Sequence, residues 1–231
     1  MPWGSVLLLV VAVLIYLGVG HRLLDRMRLS DRGALVVLLL MAAGSLVNFR
    51  LVLPPRELMV NVGGGLVPLV LSIYLLTTAD SAREKWRGLL AALLAGGAVF
   101  LLARVLPPEE QTMWIDPSYV FGPVAGFIAY LVGRSRRAAF AAGASGTILA
   151  DLGHWIEGYG RFYPTRTWIG GAGAFDAVVI AAFLAVGLAE LTGEIRERLQ
   201  AGRDAEGSGD AQGGRDAGGG RDAEGSGREQ G

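Results

Sequence analysis

The chain has 231 residues, 52% of them hydrophobic, and its 21 basic and 21 acidic residues cancel to a formal net charge of zero. That balance leaves no global field that points to nucleic acid, and the absence of cysteine excludes disulfides and thiolate metal sites. Apolar runs long enough to cross a hydrocarbon core about 30 Å thick recur along the first 191 positions, which predicts a membrane protein.

Taken in chain order, the runs predict seven spans. The first, about 3–20 ("WGSVLLLVVAVLIYLGVG"), lacks a basic leading segment and an A-x-A cleavage site, so it is expected to be a retained helix. The second, about 33–53, is ended by Pro54-Pro55, and the third is about 58–79. The fourth, about 88–106, is ended by Pro107-Pro108; the fifth is about 118–133, the sixth about 138–157 and the seventh about 168–191. The expected fold is an all-α polytopic transmembrane bundle occupying residues 1–191 as one domain.

Basic residues fall in alternate loops. Arg22, Arg26, Arg28 and Arg32 follow the first span; Arg83, Lys85 and Arg87 follow the third; Arg134, Arg136 and Arg137 follow the fifth. By the positive-inside rule these loops face the cytoplasm, placing the N-terminus outside and the C-terminus inside. Arginine outnumbers lysine, of which Lys85 is the only example, and Ala and Gly abound. That usage reads as a GC-rich bacterial genome, and the expected location is the bacterial cytoplasmic (inner) membrane, multi-pass. The domain ends in a tail, 192–231, in which "GRDAEGSG" occurs at 202–209 and again at 220–227. With almost nothing apolar to bury, this cytoplasmic segment is expected to be disordered.

Ionisable groups inside a membrane are expensive and are functional candidates by default. Asp151 in the sixth span and Asp176 in the seventh both fall about 9–12 Å below the predicted outer surface. Helices joined by a short loop are normally neighbours, so the two carboxylates are expected to face each other. Asn61 and Asn48, with Arg50, lie towards the same outer side, as do Asp116 and Tyr119. His154, Glu157, Arg161 and Arg166 form the rim. Trp114, Trp155, Tyr159, Phe162, Tyr163 and Trp168 cluster there as an interfacial belt. Two glycine clusters, "NVGGGLVP" at 61–68 and "IGGAGAFD" at 169–176, each open an outside-to-inside helix. Glycines such as Gly171 and Gly173 serve either close helix packing or a locally unwound backbone beside a site.

Three chemistries suit these residues. Two carboxylates in one desolvated site hold a shared proton, which is the equipment for acid–base hydrolysis of a membrane substrate. Membrane aspartyl proteases place their acids on adjacent spans, one in a Gly-x-Gly-Asp motif; "GAGAFD" departs from it, since Ala174 and Phe175 separate the second glycine from Asp176. Asp151, His154 and Glu157, at three-residue spacing on one helix face, are alternatively ligands for a hard or borderline divalent ion, although no cofactor is expected. Membrane acids with asparagine and glycine-broken helices also describe a proton- or cation-coupled small-solute transporter; seven spans in so short a chain would then call for a homo-oligomer. A purely structural or accessory role remains, in which an acid pairs with Arg50 to fix helix packing. The expected partners are the lipid bilayer and a membrane-protein or small-solute substrate, with no nucleic acid.

The segments "NVGGGLVP" at 61–68, "ILADLGH" at 148–154 and "IGGAGAFDAVVIA" at 169–181 together resemble a family of bacterial multi-span proteins grouped as a domain of unknown function, family 1614. The resemblance covers most of the membrane region through residue 191. It implies a compact helical membrane domain whose shared polar residues correspond to Asn61, Asp151 and Asp176, and it implies no activity.

Overall fold

The computed structural model describes residues 29–105, 118–161 and 164–195, together with Gly18, His21, Leu23, Leu24, Met27 and Gln200. The predicted first span, Trp114, Asp116, Phe162, Tyr163 and the repeated tail lie outside the described residues. The chain is mostly helical. Met1–Glu190 form one compact unit and Leu191–Gly231 a second.

Helix α1 (Asp31–Gly44) starts where the Ser30 side chain accepts the Gly33 N–H at 3.2 Å, leaving one fewer orphan donor in the first turn. It ends at Ser45, whose hydroxyl donates back to the Met41 carbonyl at 2.6 Å. The chain then turns extended. Strand β1 (Asn48–Val52) runs to the Pro54-Pro55 turn, and β2 (Arg56–Asn61) returns antiparallel to it. A π-helical segment (Val62–Leu66) leads straight into α2 (Val67–Thr77), with Pro68 in its first turn, where a missing N–H costs no bond. Helices α3 (Ala82–Val105), α4 (Ser118–Gly133) and α5 (Arg136–Gly160) follow. Strand β3 (Thr165–Ile169) pairs parallel with β2 and completes a sheet of order β1-β2-β3. A 3-10 turn (Gly173–Phe175) precedes the last helix, α6 (Ala177–Ile195).

Helix α5 is central, packed against α2, α3 and α4. Small residues bring these backbones together: a methyl on Gly96 of α3 would fall 2.6 Å from the Gly146 carbonyl oxygen of α5. One on Gly143 of α5 would fall 2.7 Å from the Ala181 carbonyl oxygen of α6. This is the close backbone approach that small residues permit between helices. At one end, Arg137 of α5 donates to the carbonyls of Met27 and Thr78 at 3.2 and 3.0 Å, binding three segments together, and Arg136 pairs with Glu190.

Among the described residues two helices, α3 and α6, are long and apolar enough to cross a membrane, and only 33% of the apolar window of each is buried. Leu89, Leu90, Leu93, Leu94 and Leu101 of α3 are exposed, a contiguous apolar surface that fits a membrane protein better than a soluble one. Seven spans are not seen among the described residues. The expected second span (33–53) divides into α1 and β1, and the third (58–79) into β2, the π segment and α2. The seventh (168–191) becomes helical only at Ala177, after the end of β3 and a glycine turn. The 14 residues of α1 and the 11 of α2 rise only about 21 and 16 Å. The reason is local: an apolar helix and an apolar strand have the same mean hydropathy, and only periodicity and turn residues separate them. Here Pro54-Pro55 closes a hairpin between β1 and β2 rather than a span.

Candidate functional site

The two glycine clusters, 109 positions apart at Gly64 and Gly173, are brought into contact. A methyl on Gly64 would lie 2.4 Å from the Gly170 carbonyl oxygen and 2.5 Å from that of Gly173. One on Gly170 would lie 2.2 Å from the Gly65 nitrogen. Gly170 and Gly173 also have φ of +70° and +63°, where L side chains are strained. The π segment and the 3-10 turn are therefore two irregular backbones apposed without side chains between them. Gly173 also abuts Ser45, whereas Gly171 lies beside Trp168 at the end of β3.

Asn61 fixes this junction. Its side chain is buried, and its Oδ1 accepts the Gly64 N–H at 2.8 Å. Its Nδ2 donates to the Ser45 carbonyl at 2.9 Å and to Asn48 Oδ1 at 3.0 Å. Asn61 thus caps the π segment while tying it to the end of α1 and to β1. Ser45 and Asn48 are partners that sequence reasoning had not joined to it, since their separation along the chain gives no signal.

Asp176 is buried at the start of α6. One carboxylate oxygen accepts the Val178 N–H at 3.0 Å and the other the Ala172 N–H at 3.1 Å. It is an N-cap, with the positive end of the helix dipole favouring its charge. Asp151, on α5, is half-buried. The α5–α6 contact runs through Gly143, Ala144, Ile148, Val178 and Ala182. Among the described residues Asp151 has no hydrogen-bonding partner. The adjacency of the helices carrying the two aspartates agrees with the sequence expectation; the Arg50 pairing does not form, because Arg50 is exposed on β1.

His154 and Glu157 go elsewhere. The His154 ring stacks on Phe100 of α3 with centroids 4.5 Å apart, and Arg104 covers the same phenyl ring at 4.5 Å. Its Nε2 is buried without a hydrogen bond among the described residues. Glu157 pairs with Arg104 at 2.8 Å and Arg161 at 2.7 Å. With Glu157 held by two guanidinium groups, the three-residue spacing does not produce a converging ligand set, and no group of three His, Asp or Glu side chains converges on a metal-sized site among the described residues. Arg166 pairs across the sheet with Glu57 at 3.0 Å and covers the Trp168 ring.

The profile of a family described as "Protein of unknown function (DUF1614)" matches residues 27–188, which contain α1 through most of α6 and both glycine clusters. No curated protein and no solved structure matches the chain. The protein belongs to the DUF1614 family.

Proposed function

We propose that this DUF1614 member is a multi-pass protein of the bacterial cytoplasmic membrane whose Asp151–Asp176 pair performs acid–base chemistry towards the outer side, hydrolysing a bond in a membrane-embedded substrate. The observation that carries this reading is the asymmetry of the pair. Asp176 has an N–H donor on each oxygen and the helix dipole behind it; Asp151, on the packed helix, has no such donor among the described residues. Two adjoining carboxylates do not both ionise readily. The donors stabilise the charge on Asp176 and leave the proton with Asp151.

In that arrangement Asp176 accepts a proton from water as the water oxygen bonds to the substrate carbonyl carbon, and Asp151 gives its proton to the carbonyl oxygen. Asp176 then gives its proton to the leaving group as that group's bond to carbon breaks, and Asp151 takes back a hydroxyl proton as the carbonyl re-forms. Asn61 and the paired glycine segments hold the start of α2 against the turn that carries Asp176, so they position the pair.

A photoreactive hydroxyethylene isostere, whose hydroxyl mimics the tetrahedral species, tests the reading on the full chain in vesicles. It should label the wild type and fail to label Asp151→Asn. Equal labelling of both proteins would overturn the hydrolytic reading. Proton-coupled transport is the second reading, favoured by the same Asp151, which has no hydrogen-bonding partner among the described residues to hold its proton. Asp151-dependent acidification of vesicles, without labelling, would establish it instead.

A further inference from the structure

The strand register divides the sheet's side chains between two faces. Strand alternation sends Arg50, Glu57 and Arg166 to one side, where Glu57 and Arg166 pair. Phe49, Leu58, Val60 and Ile169 face the other way and roof a cavity of about 320 Å³ whose floor is Leu69 of α2 with Ile148 and Leu152 of α5. Every lining residue is apolar or glycine. The cavity offers no donor or acceptor to a polar ligand, and a polar guest there would lose its hydration without compensation.

We propose that this cavity binds one hydrocarbon chain of a phospholipid from the surrounding bilayer. Three observations select that occupant. The volume is at the small end of ligand cavities, roughly 300–1,000 Å³, too small for a whole lipid and of the right order for a single chain. The cavity opens at β1, where Phe49 and Leu51 line it and are both more than half exposed. Its wall at Leu66 continues along α2 through Val70 and Ile73, all exposed at helical spacing on one face. That stripe forms an apolar track from the cavity to the outer surface of the protein, along which a chain leaves without meeting a polar group. The proposal rests on the membrane assignment above and not on the acid pair, since neither Asp151 nor Asp176 lines the cavity.

The test uses the full chain, recovered from the membrane fraction and reconstituted in phosphatidylethanolamine–phosphatidylglycerol vesicles that contain phosphatidylglycerol with a diazirine on its acyl chain. Recovery from the membrane fraction checks the membrane assignment separately. After photolysis, adducts mapped by mass spectrometry should concentrate on Leu69, Ile148 and Leu152 over Leu93 and Leu94 of α3, which report bulk lipid. Val60→Phe and Ile148→Phe, which fill the cavity, should each lower the Leu69 adduct at least about tenfold and leave α3 labelling unchanged. Leu152→Ala, which enlarges it, should retain or raise the adduct and so guards against a filled variant that merely misfolds. Uniform labelling of the cavity and α3, or Leu69 labelling unchanged in both filled variants, would overturn the proposal. So would an efficient disulfide between Leu69→Cys and Val10→Cys with no Leu69 adduct in the wild type, because the chain's own N-terminal segment would then be the occupant.

Discussion

Asn61 and Gly64 are joined by a 2.8 Å hydrogen bond from the glycine N–H to the asparagine Oδ1, across the point where strand β2 becomes helix. The π segment begins there because a side chain supplies the acceptor that the backbone lacks, while the amide end of the same side chain holds Ser45 and Asn48. One buried residue therefore sets how the sheet, α1 and α2 meet.

Asn61→Ala removes all three bonds and leaves buried groups unpaired, which should cost about 3 kcal/mol. Asn61→Asp keeps the acceptor for Gly64 but puts a carboxylate oxygen against the Ser45 carbonyl, so it should not restore stability. Thermal unfolding in detergent, followed by loss of the monodisperse peak, checks both variants.

The glycine contact has its own controls. Gly170→Ala places a methyl 2.2 Å from the Gly65 nitrogen at a backbone φ of +70°, and should destabilise by about 3 kcal/mol or more. Gly97 and Gly187 have nothing within 4 Å of an added methyl, and alanine there should change stability by less than about 1 kcal/mol. Equal tolerance at Gly170 and Gly97, read by limited proteolysis, would refute backbone apposition as the reason for the clusters.

The two aspartates should separate by readout. Asp176→Ala loses the cap and should cost about 1–2 kcal/mol, and Asp176→Ser, a cap without a carboxylate, should recover most of that. Asp151→Asn should alter stability little, because no hydrogen bond is lost among the described residues. If Asp176→Ser is fully functional in the vesicle assay, Asp176 is a helix cap and nothing more.

The Arg104–Glu157–Arg161 cluster should contribute little to folding. Glu157 is 26% exposed and its two partners 49% and 65%, so Glu157→Gln should change stability little, and the difference should shrink with added salt. Arg104→Ala should cost more than Glu157→Gln, since it also uncovers the Phe100 ring stacked on His154. A double-mutant cycle of Arg104 and Glu157 by thermal unfolding separates the two contributions.

Residue chemistry alone determined the helical class, the apolar character of α3 and α6, and the candidates Asn61, Asp151 and Asp176. Those follow from composition and from the cost of placing polar groups in apolar segments, both local properties. It also singled out the two glycine clusters, though not that each is the other's partner. What only the tertiary structure decided was non-local. Hydropathy averaged over a window does not distinguish a helix from a helix followed by a strand, so the sheet was read as span ends until β2 and β3, more than 100 residues apart, were found paired. Helical spacing put Asp151, His154 and Glu157 on one face, but the partners of the last two come from α3, where Phe100 stacks on His154 and Arg104 pairs with Glu157. A side chain's neighbours on its own helix are set by periodicity, and its neighbours on other helices by packing, which no single segment encodes.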